Sequence, residues 1–168
     1  MKNVIKKIYY DAFGQDEIFF GMLYEKASNC CKVLKVDSRI VSFFFLLPIE
    51  LKKGTLKQKA YYLFAAATDK NFRNKGYMGK LLKSEISKCE YPIILKPATN
   101  SLIAFYEKFG FKEMIASHEE NKDFCILPIK EFESFLPEKD ELKGDFEICV
   151  FGETDFNIEK ISFEYTME

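Results

Sequence analysis

Apolar residues recur at helical spacing in four stretches of the chain, and elsewhere they alternate or run continuously as they do in strands. The helical spacing predicts helices over residues 2–12, 15–26, 76–88 and 99–109, with a short fifth helix near 130–135. The other patterns predict strands over residues 31–36, 39–51, 58–68, 92–95, 111–116, 124–128, 146–151 and 158–165. Thr99 is the expected N-cap of the fourth helix, and Gly110 is expected to end it.

The order of these elements indicates a mixed α/β (α+β) fold. The two longest strands, 39–51 and 58–68, are joined by a short polar connection and are expected to form an antiparallel pair. The helix over 76–88 lies between two strands and predicts a strand–helix–strand crossover. A chain of 168 residues fits one domain with helices on both sides of a central mixed sheet.

Composition excludes several classes of protein. With 48% hydrophobic and 30% charged residues the chain is not a disordered protein, and 18 Phe and 9 Tyr predict an aromatic core. The longest apolar run, 40–49, is strand-length, well short of the roughly 18 to 20 residues that a membrane span needs. The five cysteines form no CxxC pair, so neither a disulfide framework nor a metal site is predicted. A cytoplasmic protein that makes no membrane contact is expected.

Charge is divided unevenly along the chain. Residues 131–168 hold 12 Asp and Glu against 3 Lys, whereas residues 1–130 hold 22 Lys and Arg against 14 Asp and Glu. The basic part suits an anionic small ligand, and the acidic part suits either a cationic ligand or a solvated surface. Binding of nucleic acid is not expected, because the basic charge is diffuse and Arg39 and Arg73 are the only arginines.

The segment 65–82 carries the clearest chemical signal. A strand of small residues runs into a basic loop, and the loop runs directly into a helix that begins near Gly76. The first N–H groups of a helix lack internal partners and attract anions, and glycine lets a phosphate approach the backbone. The spacing is neither that of a Walker A loop nor that of a dinucleotide fingerprint. An anion site is predicted here, with an ordinary helix start bearing surface lysines as the alternative.

A second segment, 95–111, follows at short distance and contains Tyr106, Gly110 and Phe111. Together the two segments resemble the GNAT superfamily of acyl-CoA-dependent N-acyltransferases. The phosphate loop of that family has the form R/Q-x-x-G-x-G/A, which Arg73 to Met78 resembles, and a later helix of the family ends in Tyr-x-x-x-Gly-Phe. The resemblance is concentrated in residues 61–111.

The resemblance implies a GNAT-like fold with a central, mostly antiparallel mixed sheet and a strand–helix–strand core that binds cofactor. One acetyltransferase-like domain over 1–168 is expected, with N-terminal helices and strands in 1–56, the acyl-CoA-binding core in 57–111 and C-terminal strands with an acidic extension in 112–168. The co-substrate would be acetyl-CoA or another acyl-CoA. Its pantetheine arm would pair like an added strand with Ala66, Ala67 and Thr68. Its diphosphate would contact the backbone of Arg73, Asn74, Lys75, Gly76, Tyr77, Met78 and Gly79.

Tyr106 is the expected general acid, which protonates or hydrogen-bonds the departing CoA thiolate. A phenol carries its proton at pH 7 and can donate it to a developing anion. The alternative is a packing role on the buried face of its helix. No general base is identified: Glu50 could position a water molecule or be a solvated residue at the end of a strand, and His118 lies in a polar turn.

The expected function is an N-acetyltransferase in which a primary amine of a small molecule or peptide attacks acetyl-CoA directly. The acidic segment 131–168 favours a cationic amine. A CoA-binding sensor, or a GNAT homologue without activity, is the alternative, because no base is identified and Met78 stands where glycine or alanine is usual. A homodimer is compatible with the resemblance.

Overall fold

The computed structural model describes residues 1–53, 55–117, 124–136, 145–152 and 160–163. Its helices are α1 (Lys2–Phe13), α2 (Glu17–Ala27), α3 (Tyr77–Ile86) and α4 (Ser101–Glu107). Its strands are β1 (Cys31–Val36), β2 (Arg39–Lys53), β3 (Leu56–Thr68), β4 (Ile93–Leu95), β5 (Lys112–Ser117), β6 (Phe124–Pro128), β7 (Asp145–Phe151) and β8 (Lys160–Phe163). Short 3-10 helices form at Ser28–Cys30, Lys70–Phe72 and Lys130–Phe135.

The described elements follow the predicted order. The strand predicted over 158–165 is described only at Lys160–Phe163. Contacts divide the chain into two compact units, residues 1–47 with 63–89 and residues 48–62 with 90–168. β2 and β3 each contribute residues to both units. The expectation of one domain over 1–168 stays a prediction.

The first unit contains α1, α2 and α3 and the strand order β1-β2-β3. β1 and β2 pair in antiparallel register through a tight turn at Asp37 and Ser38, whose φ angles of 48° and 65° match a two-residue hairpin turn. Successive residues of β2 from Ile40 to Leu47 are all buried. Because side chains alternate between the faces of a strand, this run means that β2 is covered on both faces.

α1 and α2 of the first unit each bury one apolar face, and in α2 this face leaves Ile18 87% exposed. Ile5 and Ile8 of α1, with Phe20 and Leu23 of α2, are almost completely buried. Asp16 caps α2, since its carboxylate accepts a hydrogen bond of 2.9 Å from the N–H of Phe19. α3 packs against β1.

In the second unit the strands follow the order β3-β4-β7-β5-β8-β6, and β6 also pairs with the end of β2. β3 and β4 are parallel, with Tyr61 opposite Ile93 and Tyr62 opposite Ile94. α3 lies between these two strands in sequence, so the chain makes the predicted strand–helix–strand crossover. The pairs β2–β6, β4–β7 and β5–β7 are antiparallel. The fold is therefore the expected mixed, mostly antiparallel sheet flanked by helices.

The prediction that Thr99 caps α4 is wrong. α4 begins at Ser101 and its N-cap is Asn100, which makes no capping side-chain bond. The hydroxyl of Thr99 instead forms a hydrogen bond of 2.8 Å with the hydroxyl of Ser101. The two short polar side chains pair with each other, so the Thr99 hydroxyl does not cap a backbone N–H.

Candidate functional site

The last residues of β3 leave regular strand geometry at Ala65. The φ angle of Ala65 is 56°, in the left-handed region that a residue with a side chain enters at a cost of roughly 1–2 kcal/mol. Ala65 and Ala66 are half-buried and Ala67 is buried. β3 pairs with β4 at Tyr61 and Tyr62, which precede this irregularity in the chain. Irregularities of this kind re-aim the backbone groups that follow them in a strand.

The end of β3 is attached firmly to the start of β2. The hydroxyls of Thr68 and the fully buried Ser42 lie 2.8 Å apart. The N–H of Asp69 donates a hydrogen bond of 2.8 Å to the carbonyl of Val41. These contacts join the start of β2 to the end of β3, as in the predicted antiparallel pair, and they hold the point at which the basic loop leaves the sheet.

Asp69 organises the first turn of that loop. Its carboxylate accepts a hydrogen bond of 2.9 Å from the N–H of Asn71, and its carbonyl accepts one of 2.8 Å from the N–H of Phe72. Its side chain is 8% exposed and lies 4.0 Å from the guanidinium of Arg39 at the start of β2. A buried carboxylate with these partners caps the 3-10 helix at Lys70–Phe72.

Arg73 turns the loop back onto β3. Its Nε–H donates a hydrogen bond of 3.0 Å to the carbonyl of Thr68. Asn74 has a φ angle of 61° and Gly76 one of 76°. Both angles lie in the left-handed region, which glycine enters freely and asparagine more readily than most residues. The residue types in this loop therefore match the backbone path that brings it to the start of α3.

The start of α3 has the geometry of an anion site. Gly76 is its N-cap, with no side chain to cap the helix and open space where a Cβ would stand. The N–H of Lys80 makes a bond of 3.1 Å to the carbonyl of Gly76. The N–H groups of the preceding residues of the first turn, Tyr77, Met78 and Gly79, lie at the positive end of the helix dipole. Met78 is half-buried and Gly79 is buried.

Cations and aromatic rings lie beside this helix start. The Phe72 ring has the guanidinium of Arg39 at 5.3 Å and the ammonium of Lys75 at 5.4 Å from its centroid. It also packs against Tyr77, at 6.2 Å between ring centroids, and Lys80 lies over the Tyr77 ring. The predicted loop residues Arg73 to Gly79 are thus gathered in the first unit with Ala66, Ala67 and Thr68.

Tyr106 belongs to the second unit and is 7% exposed. Its ring packs edge-to-face with Phe105 and Phe111, at centroid distances of 5.2 and 5.5 Å. Burial raises the pKa of its phenol to about 12, with a smaller contribution from nearby Cys149. The hydroxyl therefore keeps its proton at neutral pH and can act as a hydrogen-bond donor.

The Tyr-x-x-x-Gly-Phe motif has a clear structural basis. After α4, the carbonyl of Tyr106 accepts hydrogen bonds from the N–H groups of Phe109 and Phe111. Gly110 makes this turn possible with a φ angle of 90°, and a Cβ there would lie 3.1 Å from the ring of Phe151. The motif fixes the end of the helix and returns the chain to β5 with Phe111 buried against Tyr106.

Other residues considered as catalytic groups have different surroundings. Glu50 forms an ion pair of 3.5 Å with Lys57. His118 lies outside the described residues. Burial raises the pKa of Cys31 to about 12 and also raises that of Cys89, so both thiols are protonated at neutral pH, as expected for unreactive cysteines.

The sequence interpretation missed Asp69, Arg39 and Phe72. They belong to no motif, and Arg39 is distant from the loop in the sequence. One available signal was the position of Asp69 directly after a strand and two residues before Asn71, which is typical of an Asx-type turn.

Among the described residues, no group of three or more His, Cys, Asp and Glu side chains could hold a metal ion. In the same part of the chain, no helix is both long and apolar enough to cross a bilayer.

The sequence profile of the acetyltransferase (GNAT) family matches residues 3–111, more than half of the chain. The chain therefore belongs to the GNAT acetyltransferase family, as the resemblance in its two motif segments indicated. No curated protein matches the chain significantly by sequence.

Solved acetyltransferase structures have a similar fold. The ribosomal-protein-S18-alanine N-acetyltransferase from Escherichia coli is 18% identical, with a TM-score of 0.55 over 94% of this chain and 92% of that one. The N-acetyltransferase YlbP from Bacillus subtilis, in complex with coenzyme A, is 14% identical, with a TM-score of 0.54 over 90% of each chain. A GCN5-related N-acetyltransferase from Kribbella flavida is 14% identical, with a TM-score of 0.55 over 67% of this chain, which spans 32% of that longer protein. At these identities the similarity establishes the fold.

Proposed function

We propose that this protein is an N-acetyltransferase that transfers the acetyl group of acetyl-CoA to a primary amine of a small molecule or peptide. The observation that carries the proposal is the start of α3, where a helix capped by left-handed Gly76 follows a strand of small residues through a basic loop. The coenzyme A bound in the Bacillus subtilis structure supports an acyl-CoA co-substrate for this fold.

In this proposal the diphosphate is bound by backbone N–H groups of the loop and of the first turn of α3. These N–H groups belong to Arg73, Asn74, Lys75, Gly76, Tyr77, Met78 and Gly79. Unpaired N–H groups and the helix dipole favour an anion there, and the absence of a side chain at Gly76 leaves room for a phosphate. Lys75 and Lys80 add positive charge beside it. The backbone of Ala66, Ala67 and Thr68 binds the pantetheine arm, since small side chains let an extended chain lie against the strand.

The reaction proposed is direct attack by a neutral amine on the thioester carbonyl. The new N–C bond forms, the C–S bond breaks, the amine loses a proton to water and the departing thiolate takes one from water. Tyr106 donates a hydrogen bond from its O–H to the departing sulfur and keeps its proton. An alkyl thiol has a pKa of about 8.5, so a phenol with a pKa of about 12 stabilises the thiolate by a hydrogen bond more readily than it gives up its proton.

The amine acceptor is proposed to be cationic on the basis of the acidic segment 131–168. A cluster of carboxylates lowers the free energy of a cationic ligand near it and disfavours an anionic one. Polyamine-like acceptors should therefore be acetylated with a lower KM than neutral amines of the same length. Equal KM values for the two sets would remove this part of the proposal.

A CoA-binding sensor or inactive homologue is the second candidate function. The ion pair between Glu50 and Lys57 favours a protein without turnover. The Glu50 carboxylate, which could otherwise position a water molecule as a base, is paired with Lys57. The two functions share CoA binding and differ in turnover.

The first experiment is thermal unfolding with acetyl-CoA, with CoA and with ATP as a phosphate control. Selective binding stabilises the native state by about 2.7 kcal/mol at a hundredfold excess over Kd. A rise in Tm with acetyl-CoA and CoA but not with ATP supports the site, and acetylation of an amine panel then separates the enzyme from the sensor. No rise at millimolar ligand would refute both.

A further inference from the structure

The least expected feature of the loop is the buried carboxylate of Asp69. Asp69 and Ser42 are the buried polar residues among the described ones, and Asp69 alone of the two carries a charge. A buried charge is unfavourable unless it is paired and hydrogen-bonded. Asp69 lies between the strand proposed to bind pantetheine and the loop proposed to bind diphosphate, so its partners affect both.

Asp69 is held by its own main chain as well as by its side chain. Its N–H donates a hydrogen bond to the carbonyl of Val41 in β2. Its carbonyl accepts a hydrogen bond from the N–H of Phe72, and its carboxylate accepts one from the N–H of Asn71. The residue therefore cannot shift without moving either β2 or the loop. Its carboxylate presents a fixed negative charge to Arg39, 4.0 Å away.

Arg39 connects that charge to the start of α3. Its guanidinium lies beside the Asp69 carboxylate and also over the Phe72 ring, at 5.3 Å from the centroid. The other cation at this ring is Lys75, and the ring itself packs against Tyr77, the first residue of α3. Asp69, Arg39, Phe72 and Tyr77 thus form a continuous series of contacts within the first unit.

We propose that Asp69 is a positioning residue for the phosphate loop. The charge of its carboxylate holds the Arg39 guanidinium, and the guanidinium holds the Phe72 ring. The ring in turn keeps the loop and the first turn of α3 in the conformation that presents their N–H groups to the diphosphate of an acyl-CoA. This inference rests on the proposed function. A preformed loop binds an anion more tightly because no ordering is required on binding.

The alternative role of Arg39 is direct contact with a ligand phosphate, since its side chain is 58% exposed. The two roles predict different effects of removing the negative charge of Asp69 on the affinity for CoA. If Arg39 contacts phosphate directly, loss of the Asp69 charge frees the guanidinium and leaves affinity unchanged or improved. If Arg39 acts by holding Phe72, loss of that charge weakens binding.

The test is calorimetric titration with CoA of the wild type, Asp69→Asn, Arg39→Gln and the double variant, with steady-state kinetics in acetyl-CoA. Asparagine retains an acceptor for the N–H of Asn71 and removes only the charge. Each single variant is expected to raise Kd about tenfold, equivalent to about 1.4 kcal/mol. The Kd of the double variant should lie within about twofold of the Kd of either single variant, because the two residues act as one unit. KM for acetyl-CoA should rise while kcat stays within about twofold of the wild type.

Glu17→Gln is the matched control. It removes a carboxylate from another ion pair of the first unit, with Lys6 at 2.7 Å, and should leave Kd unchanged. If Asp69→Asn does not fold, Arg39→Gln and Phe72→Leu carry the test. Phe72→Leu keeps every charge and weakens binding only if the ring transmits the effect.

The outcomes distinguish this inference from the function on which it rests. A wild type that does not bind CoA overturns both. A wild type that binds CoA, with an unchanged Kd in Asp69→Asn or additive losses in the double variant, overturns the positioning role alone. A fall in kcat with unchanged Kd overturns it too.

Discussion

The Nε–H of Arg73 donates a hydrogen bond of 3.0 Å to the main-chain carbonyl of Thr68. The first residue of the family's loop motif is therefore used to fold the loop back on the strand that precedes it. Because a planar guanidinium donates in fixed directions, Arg73 can hold the carbonyl with Nε and still direct its terminal nitrogens elsewhere.

Replacement of Arg73 should weaken CoA binding with little effect on folding. Arg73→Met removes the donor to Thr68 and one positive charge from an exposed position, so we expect the free energy of unfolding to change by less than about 1 kcal/mol. Kd for CoA should rise by about tenfold, a loss of about 1.4 kcal/mol. Calorimetry measures the Kd, and Lys83→Met on the same unit is the control for loss of an exposed cation. Equal Kd values in the two variants would show that Arg73 contributes only charge.

Two substitutions at Gly76 separate backbone strain from obstruction of the anion site. Gly76→Val introduces a branched side chain at a φ angle of 76° and should destabilise the fold by about 1–3 kcal/mol as well as reduce CoA affinity. Gly76→Asn should retain most of the stability, because asparagine tolerates left-handed backbone, and still bind CoA less tightly. Urea unfolding and calorimetry measure the two effects. Unchanged affinity in Gly76→Asn would place the diphosphate away from this glycine.

The phenol of Tyr106 is expected to affect turnover and not binding. Tyr106→Phe keeps the packing with Phe105 and Phe111 and removes only the hydroxyl. Removing one positioned hydrogen-bond donor to a developing anion costs about 10²–10³-fold, so kcat should fall by at least about a hundredfold while Kd for CoA stays constant. Tyr9→Phe, at another buried tyrosine that is also 7% exposed, is the control. If kcat is the same in both variants, Tyr106 has only a packing role.

The raised pKa of Tyr106 should also appear in the pH dependence of stability. The folded state holds the phenolic proton up to about pH 12, whereas the unfolded chain releases it near pH 10. The stability that this protonated phenol contributes is fully present below pH 10, and it is lost as the pH rises through the folded-state pKa of about 12. From pH 9 to 11 the wild type should therefore lose about 1 kcal/mol more than Tyr106→Phe in urea unfolding. Parallel losses would indicate that the phenol is accessible to solvent.

Gly110 offers a test of packing that does not depend on function. Gly110→Ala combines a strained φ angle of 90° with a contact of 3.1 Å to the Phe151 ring, so we expect a destabilisation of about 2–3 kcal/mol. Gly14→Ala, at a φ angle of 96° with open space around the added carbon, should cost only the backbone strain. The double variant Gly110→Ala with Phe151→Leu should recover stability relative to Gly110→Ala if the ring contact matters. Thermal unfolding measures the stability of the wild type and of these three variants.

Local sequence determined the elements and both motifs. Three local features depend on interactions between near neighbours in the chain. They are the spacing of apolar residues in α1 and α3, the paired left-handed residues Asp37 and Ser38, and Gly110 in the turn after α4, which ends at Glu107 and not at the expected Phe109. Such interactions are visible in any short window of sequence. The error at Thr99 has the same local scale, because several short polar residues compete there to cap one helix.

Only the tertiary structure decided which distant groups support the loop. Arg39 begins β2 and Asp69 follows β3, and their side chains approach each other because the two strands are neighbours in the sheet. The raised pKa of Tyr106 likewise depends on the chain beyond its own helix. Phe111 packs against its ring, and Cys149 adds a smaller electrostatic contribution to the effect of burial. Sequence alone supplied side chains and a glycine loop of the types that can bind an anion or donate a hydrogen bond. Their surroundings were decided by long-range packing, because charge burial and ring contacts are properties of the assembled fold.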